Sequence, residues 1–290
     1  MADGYAGELL MSIELPEAKI LADQMDKQLR GKRVQRVFLK DCEKLQRLGF
    51  VNKDVHAFDD LVNGKIESVT SRGSVMRIKL DNRMSLILAP EYGGIIQYYA
   101  KSESVSDKAH LTVGFADGSA LTVRLTGMGV INALKETELE RSYVYRRDFS
   151  EVSSPIDDKD FTFERFSKLL ANKNVMLKSV LVGKDAVVVG LGNSAFQDII
   201  YRAKLHPKRK ASELNTDESR ALYNAIKLVV QERLRLGGKD QFTDLYGKGG
   251  HYTPTMGPNM KGQTCPTCGA SVEKMSLGGG FTFYCPKCQK

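Results

Sequence analysis

Cys265-Pro266-Thr267-Cys268 and Cys285-Pro286-Lys287-Cys288 lie at the C-terminal end of the 290-residue sequence, sixteen residues apart. Each pair fits a tight turn that offers two thiolates to one tetrahedral ion, and the spacer is long enough for a two-stranded hairpin. Strands over Ala270–Met275 and Phe281–Tyr284, joined through Leu277-Gly278-Gly279-Gly280, would complete a zinc ribbon. The expected cofactor is one structural Zn2+ held by Cys265, Cys268, Cys285 and Cys288. With four thiolates committed, such an ion keeps no open position and is not catalytic. The competing arrangement is two disulfides in a secreted protein. It goes with a signal peptide, and residues 1–20 lack a basic start followed by an apolar core. Cys42, the odd cysteine, is expected to be a reduced thiol.

Charge points the same way. The net +8 is uneven: residues 1–170 carry 25 basic and 26 acidic side chains, residues 171–290 carry 18 and 9. The densest stretch runs from Arg202 through Lys204 and His206-Pro207 to Lys208-Arg209-Lys210, five cations without an acid. A zinc hairpin beside a basic helical segment suggests a polyanionic partner, most simply nucleic acid. A merely solvated basic face is the bland alternative. No run of 18 apolar residues occurs, so no membrane span is expected. A monomer in the cytoplasm, associated with the nucleoid, is the corresponding expectation.

Upstream of the hairpin the periodicity is helical: about 161–172, 175–183, 194–204 and 216–236. In the last, Leu222, Ile226, Val229, Val230 and Leu234 form one stripe, Thr216 is a candidate N-cap, and Gly237-Gly238 end the helix. Between two of these helices stands Gly190-Leu191-Gly192-Asn193. Its glycines permit a close backbone approach, and Asn193 can cap the next helix, whose free N–H groups favour an anion. An ordinary interhelical turn is the other reading. Nearer the N-terminus, Pro16 opens a helix through about Arg30, stopped by Gly31. Seven short strands follow: Val34–Leu39, Ile66–Thr70, Val75–Leu80, Ser85–Leu88, Ile95–Tyr99, Leu111–Phe115 and Leu121–Leu125. The fold class is therefore α+β: an N-terminal β-sandwich with a packed helix, then a helical domain and a zinc-ribbon hairpin. The expected units are a leader over 1–10, a β-sandwich domain over 11–147, a linker over 148–160, a helical domain over 161–240 and a zinc finger over 241–290. Tyr98-Tyr99, Tyr143 and Tyr145 are expected in sheet packing. His56, His110 and His251 are isolated, and His206 before Pro207 suits a loop-shaping role.

These motifs together resemble the formamidopyrimidine-DNA glycosylase / endonuclease VIII family. Glu14-Leu15-Pro16-Glu17 looks like its N-terminal signature. Val189-Gly190-Leu191-Gly192-Asn193, running to His206-Pro207, looks like its helix–two-turns–helix motif, and Cys265–Lys290 is similar to its zinc finger. The resemblance makes duplex DNA the expected form of that nucleic acid and implies a two-lobed clamp on damaged DNA in base-excision repair, with the target base flipped out of the stack. It also implies DNA contacts at Gly192, Asn193, Arg202, Lys208, Arg209 and Lys210. In that family an N-terminal proline amine attacks the sugar, forms a Schiff base and leads to strand cleavage, while a glutamate after it handles protons.

The pattern breaks where the chemistry should be. Ile13 stands where the family has its proline, and the sequence continues upstream of it. A peptide nitrogen shares its lone pair with the carbonyl and is not nucleophilic. Ser74 falls at a phosphate-contacting lysine, Thr126-Gly127-Met128-Gly129 at a segment that fills the hole left by the flipped base, and Gly280 at a phosphate-contacting arginine. The expectation is a DNA-binding member without the proline chemistry. The alternative is an active glycosylase or abasic-site lyase. It would use the α-amine of Ser12, exposed by a start at Met11 and removal of that residue, or water directed by Glu14. A cap or hydrogen-bond acceptor is the structural alternative for Glu14.

Overall fold

The computed structural model describes residues 13–90, 93–101, 105, 107–157, 159, 161–183 and 185–290. The leader and Ser12 fall outside these residues. The chain opens with helix α1 (Leu15–Leu29), whose second residue is Pro16. Its start is fixed by a reciprocal pair in which Glu14 receives the backbone N–H of Glu17 and Glu17 receives that of Glu14. Gly31, at φ +84°, lets the chain turn out of the helix.

Two four-stranded antiparallel sheets follow. One has the order β1 (Val34–Leu39), β6 (Leu111–Phe115), β7 (Ala120–Leu125), β5 (Gly94–Tyr99); the other runs β2 (Ile66–Arg72), β3 (Val75–Leu80), β4 (Met84–Ala89), β8 (Val130–Lys135). Register is set by alternation. In β3, Met76, Ile78 and Leu80 enter the main core while Arg77 and Lys79 are half-exposed. Leu86 and Leu88 pair with Ile78 and Met76 across the ladder. Val34, Val113 and Phe115 meet them from the other sheet, and Leu21, Ala22, Met25 and Leu29 of α1 join the same core. The short helix α2 (Glu43–Arg47) sits after β1, and α3 (Tyr143–Asp148) brings Val144 against Val75, Ile87 and Leu134 on the outer face of the second sheet.

Strand β8 is the eighth strand where seven were expected. Gly127 and Gly129 read as a turn, and Asn132 and Ala133 are poor strand formers. Pairing with β4 overrides that weak propensity, with Ile131 and Ala133 facing the core.

The second lobe holds α4 (Phe163–Ala171), α5 (Leu177–Leu181), α6 (Asn193–Arg202) and α7 (Thr216–Arg235) around their own core of Phe166, Leu181, Phe196, Ile199, Leu222 and Ile226. Asn215, one residue before the expected cap, accepts the Glu218 N–H and N-caps α7. The hairpin of β9 (Glu273–Leu277) and β10 (Gly280–Tyr284) follows. Its first strand begins three residues later than expected.

The lobes touch at a point where only glycine fits. Leu15 belongs to the helical core, and its N–H donates to the Gly190 carbonyl at 2.7 Å. Gly190 has φ +72°, and a Cβ there would fall 2.4 Å from the Gly73 Cα at the β2–β3 turn. Gly190→Ala is therefore expected to destabilise the protein by about 2 kcal/mol or more, from left-handed strain plus displacement of the β2–β3 turn. Thermal denaturation of the variant checks this, and an unchanged melting temperature would contradict the contact.

Candidate nucleic-acid cleft and metal centre

A cleft of about 890 Å³ opens between the lobes. Ile13 and Glu14 line it together with Ser74, Tyr143, Arg146, Arg147 and Asp148 of the β lobe, Lys178 and Gly190–Asn193 of the helical lobe, and Gly278–Gly280 of the hairpin. Ile13 is 5% exposed and packs into the β core.

Glu14 is committed. Its carboxylate accepts the backbone N–H groups of Ser194 and Ala195 at 3.1 Å each, and Arg233 Nη1 at 2.6 Å. The free N–H groups at the start of α6, expected to favour a phosphate, thus hold a carboxylate of the same chain. Gly192 makes room for it: a Cβ there would lie 2.4 Å from Glu14 Oε1. Gly192 is itself the N-cap of α6. The Asn193 side chain, expected to cap the helix, instead donates to the Phe281 carbonyl of the hairpin at 3.0 Å. Arg233, 1% exposed, meets Glu17 through Nε and Nη2, and the Lys239 N–H completes the Glu17 shell. Burial works to raise the Glu14 pKa. The positive charges of Arg233 and Lys239, with the hydrogen bonds from Arg233 and Ala195, outweigh it and hold the group below its ordinary value.

Arg233→Met leaves two buried carboxylates without their cation and is expected to cost about 3–5 kcal/mol of unfolding free energy. A loss below about 1 kcal/mol would show that the triad is not what joins the lobes. Because the Glu14 pKa is depressed, its stabilisation is complete above the reference value of 4.5 and is lost as pH falls through the folded-state value. Glu14→Gln should therefore flatten the acid limb of stability against pH.

The basic run divides. Arg202 is paired with Asp198 and Glu232, and Arg209 makes a two-pronged contact with Glu218, both bonds at 2.9 Å. Lys204, Lys208 and Lys210 are exposed. Ser74 Oγ and N–H donate to a buried Asp148 oxygen, and Arg147 Nη2 reaches Ser74 Oγ at 3.0 Å. Tyr143, expected in sheet packing, is 67% exposed at the cleft wall, because its helix turns only Val144 and Asp148 inward. Tyr145 stacks on Phe149 with centroids 4.4 Å apart. His110 Nδ1 accepts the Leu125 N–H, and His206 packs edge-on against Tyr284. Sequence reasoning did not select Lys178 or Arg233. Both lie within helical stripes, and their partners are 99 and 219 residues away.

The four cysteines converge. Sγ atoms of Cys265 and Cys288 are 3.8 Å apart, those of Cys268 and Cys285 3.5 Å, and all four lie within 4.8 Å of one another. A tetrahedral ion with Zn–S bonds near 2.3 Å needs thiolates roughly 3.8 Å apart, so the site fits zinc. The groups that orient the sulfurs are present too. Tyr201 Oη lies 3.3 Å from Cys265 Sγ, the Cys288 N–H points at Cys285 Sγ, and Gln289 ties the Cys285 N–H to the Leu205 carbonyl at the end of α6. Neighbouring thiols, beginning with Cys268, push the Cys288 pKa up, whereas hydrogen bonds beginning with that of Tyr201 outweigh burial and bring the Cys265 pKa down. Cys268→Ser is expected to lose bound zinc, read by native mass spectrometry, and to unfold the hairpin. A folded, zinc-loaded variant would contradict the four-thiolate site.

Three family models match. The formamidopyrimidine-DNA glycosylase N-terminal domain matches residues 13–126, the formamidopyrimidine-DNA glycosylase H2TH domain matches residues 153–243, and the zinc finger found in FPG and IleRS matches residues 262–290. Among curated relatives, the formamidopyrimidine-DNA glycosylase of Streptococcus pneumoniae (strain R6) is 27% identical, covering 96% of this chain and 98% of that one. The Rickettsia bellii (strain OSU 85-389) protein of the same name is 28% identical over 96% and 99%. Two solved structures share the fold with a TM-score of 0.82 at 21% identity, each covering 96% of this chain and 99% of the other. They are the Lactococcus lactis Fpg in complex with DNA containing an abasic site, and the same protein with DNA containing N7-benzyl-Fapy-dG.

Proposed function

Because the chain belongs to the formamidopyrimidine-DNA glycosylase family of DNA repair, we propose that it grips damaged or distorted duplex DNA between its lobes without the family's proline Schiff-base chemistry. The observation that carries this reading is at the cleft floor, where an amide nitrogen of Ile13 stands beside a Glu14 already engaged by the N–H groups of Glu17, Ser194 and Ala195 and by Arg233. An amide nitrogen cannot add to a sugar carbon. Arg233 favours the charged form of the Glu14 carboxylate, which makes it a poor proton donor, and its oxygens already accept hydrogen bonds where water would need them.

The cations at hand suit a phosphate backbone. Arg146 and Arg147 line the cleft, and Lys204, Lys208 and Lys210 are exposed after α6. Fold relatives hold abasic-site and Fapy-dG DNA, and an extruded nucleotide is the ligand proposed here. The zinc hairpin contributes by fixing the wall that carries Gly278–Gly280, not by reacting.

Binding to a short duplex is expected to weaken linearly in log K against log salt, because phosphate contacts release counterions. A Lys208→Ala/Lys210→Ala double variant should bind all sequences more weakly alike, with the salt slope reduced by roughly 0.9 for each phosphate no longer neutralised. Fluorescence anisotropy across a salt series measures both. Absent or salt-insensitive binding would contradict the reading.

A further inference from the structure

Lys178, on α5, is 8% exposed although it carries an ammonium group. Its Nζ donates to the Leu277 carbonyl at 2.6 Å, at the end of β9. Among the described residues it has no carboxylate within ion-pair distance, whereas the other buried cations, Arg233 and Lys239, sit against Glu14 and Glu17. A buried cation without a counter-charge is costly to hold and favours its neutral form. Burial does push the Lys178 amine below the ordinary lysine value.

The hairpin turn is shaped around this side chain. A Cβ on Gly278 would lie 3.3 Å from Lys178 Cδ, and one on Gly280 3.8 Å from Nζ. Gly278 and Gly279 hold φ +52° and +77°. Gly278 and Gly280 thus set backbone, and no side chain, beside this lysine. Phe196 closes the other side, with Nζ 5.9 Å from its ring centre. Among the described residues lining the cleft, Lys178 carries the one primary side-chain amine; the other basic side chains are the guanidinium groups of Arg146 and Arg147.

We propose that Lys178 is the reacting amine of this cleft, and that its Nζ captures the ring-opened aldehyde of an abasic deoxyribose as an imine. The neutral amine adds to C1′ and forms the C–N bond. The carbonyl oxygen takes one proton from the nitrogen and one from solvent and leaves as water, giving the iminium, which returns a proton to solvent when it becomes the imine. No oxidant or second substrate is needed. This inference rests on the binding of abasic duplex proposed above, and it supplies a nucleophile that Ile13 cannot.

The test uses the full-length, zinc-loaded protein, a duplex with one aldehydic abasic site, and borohydride, which reduces the imine to a stable secondary amine. Peptide mapping of the unsubstituted protein should place the adduct on Lys178. Lys178→Met and Lys178→Arg should lose the adduct by about tenfold or more while keeping affinity for a duplex with a tetrahydrofuran abasic analogue, which has no aldehyde. An adduct on another residue, or none from a protein that binds the analogue, overturns the role of Lys178 and leaves the grip intact. Failure to bind the analogue sinks both readings. Mapping on the unsubstituted chain keeps the test decisive if a variant does not fold.

Discussion

Arg233 is buried, charged and shared by two carboxylates near the start of the first helix. That constraint organises the rest. A guanidinium without water needs Glu14 and Glu17, and those residues need α1 to begin where it does. Glu14 in turn satisfies the first amides of α6, so one carboxylate is at once a partner for α7, a cap for α6 and the first turn of the neighbouring lobe. The glycines at 73, 190 and 192 bring backbones close enough for this to happen. The cleft is what remains in front of that junction.

The same arrangement explains why losing one residue type need not dismantle the molecule. A proline amine at position 13 would be a chemical group, whereas Glu14 and Glu17 here make the hydrogen bonds and ion pairs that join the lobes. Ile13 joins the β core by its side chain and loses nothing structurally. The junction between the lobes therefore does not depend on a proline at that position. Asp148 shows a similar accommodation. It receives Ser74 and draws Arg147 to the same place, so a guanidinium from α3 stands where the family resemblance sets a lysine on the β2–β3 turn.

What could be read in the sequence was local. The cysteine pairs act over three residues and a short spacer, and they converge as their spacing implies. The α7 stripe and its terminating glycines repeat a single period. The cap of α7 falls on Asn215 and not on Thr216 because Asn and Thr both cap well and stand side by side, so composition alone does not choose between them. Strand β8 was not legible because Asn132 and Ala133, weak strand formers, cut short the signal of Val130 and Ile131 until a partner strand recruits them. Nor were the two residues that give the cleft its character. Arg233 and Lys178 resemble any cation on an amphipathic helix until the chain closes, and only then does one acquire two carboxylates and the other none among the described residues. Arg202 and Arg209 show the converse: a run that looks uniformly available in sequence spends two of its charges on Asp198, Glu232 and Glu218.

The central claim is that the clamp recognises a disrupted nucleotide by binding alone, independent of any bond formed at the cleft floor. Competition between a duplex carrying one tetrahydrofuran abasic analogue and the same duplex undamaged measures this directly, since neither offers an aldehyde. The account predicts a clear preference for the analogue duplex. Equal affinity for the two, or affinity for neither, would contradict it.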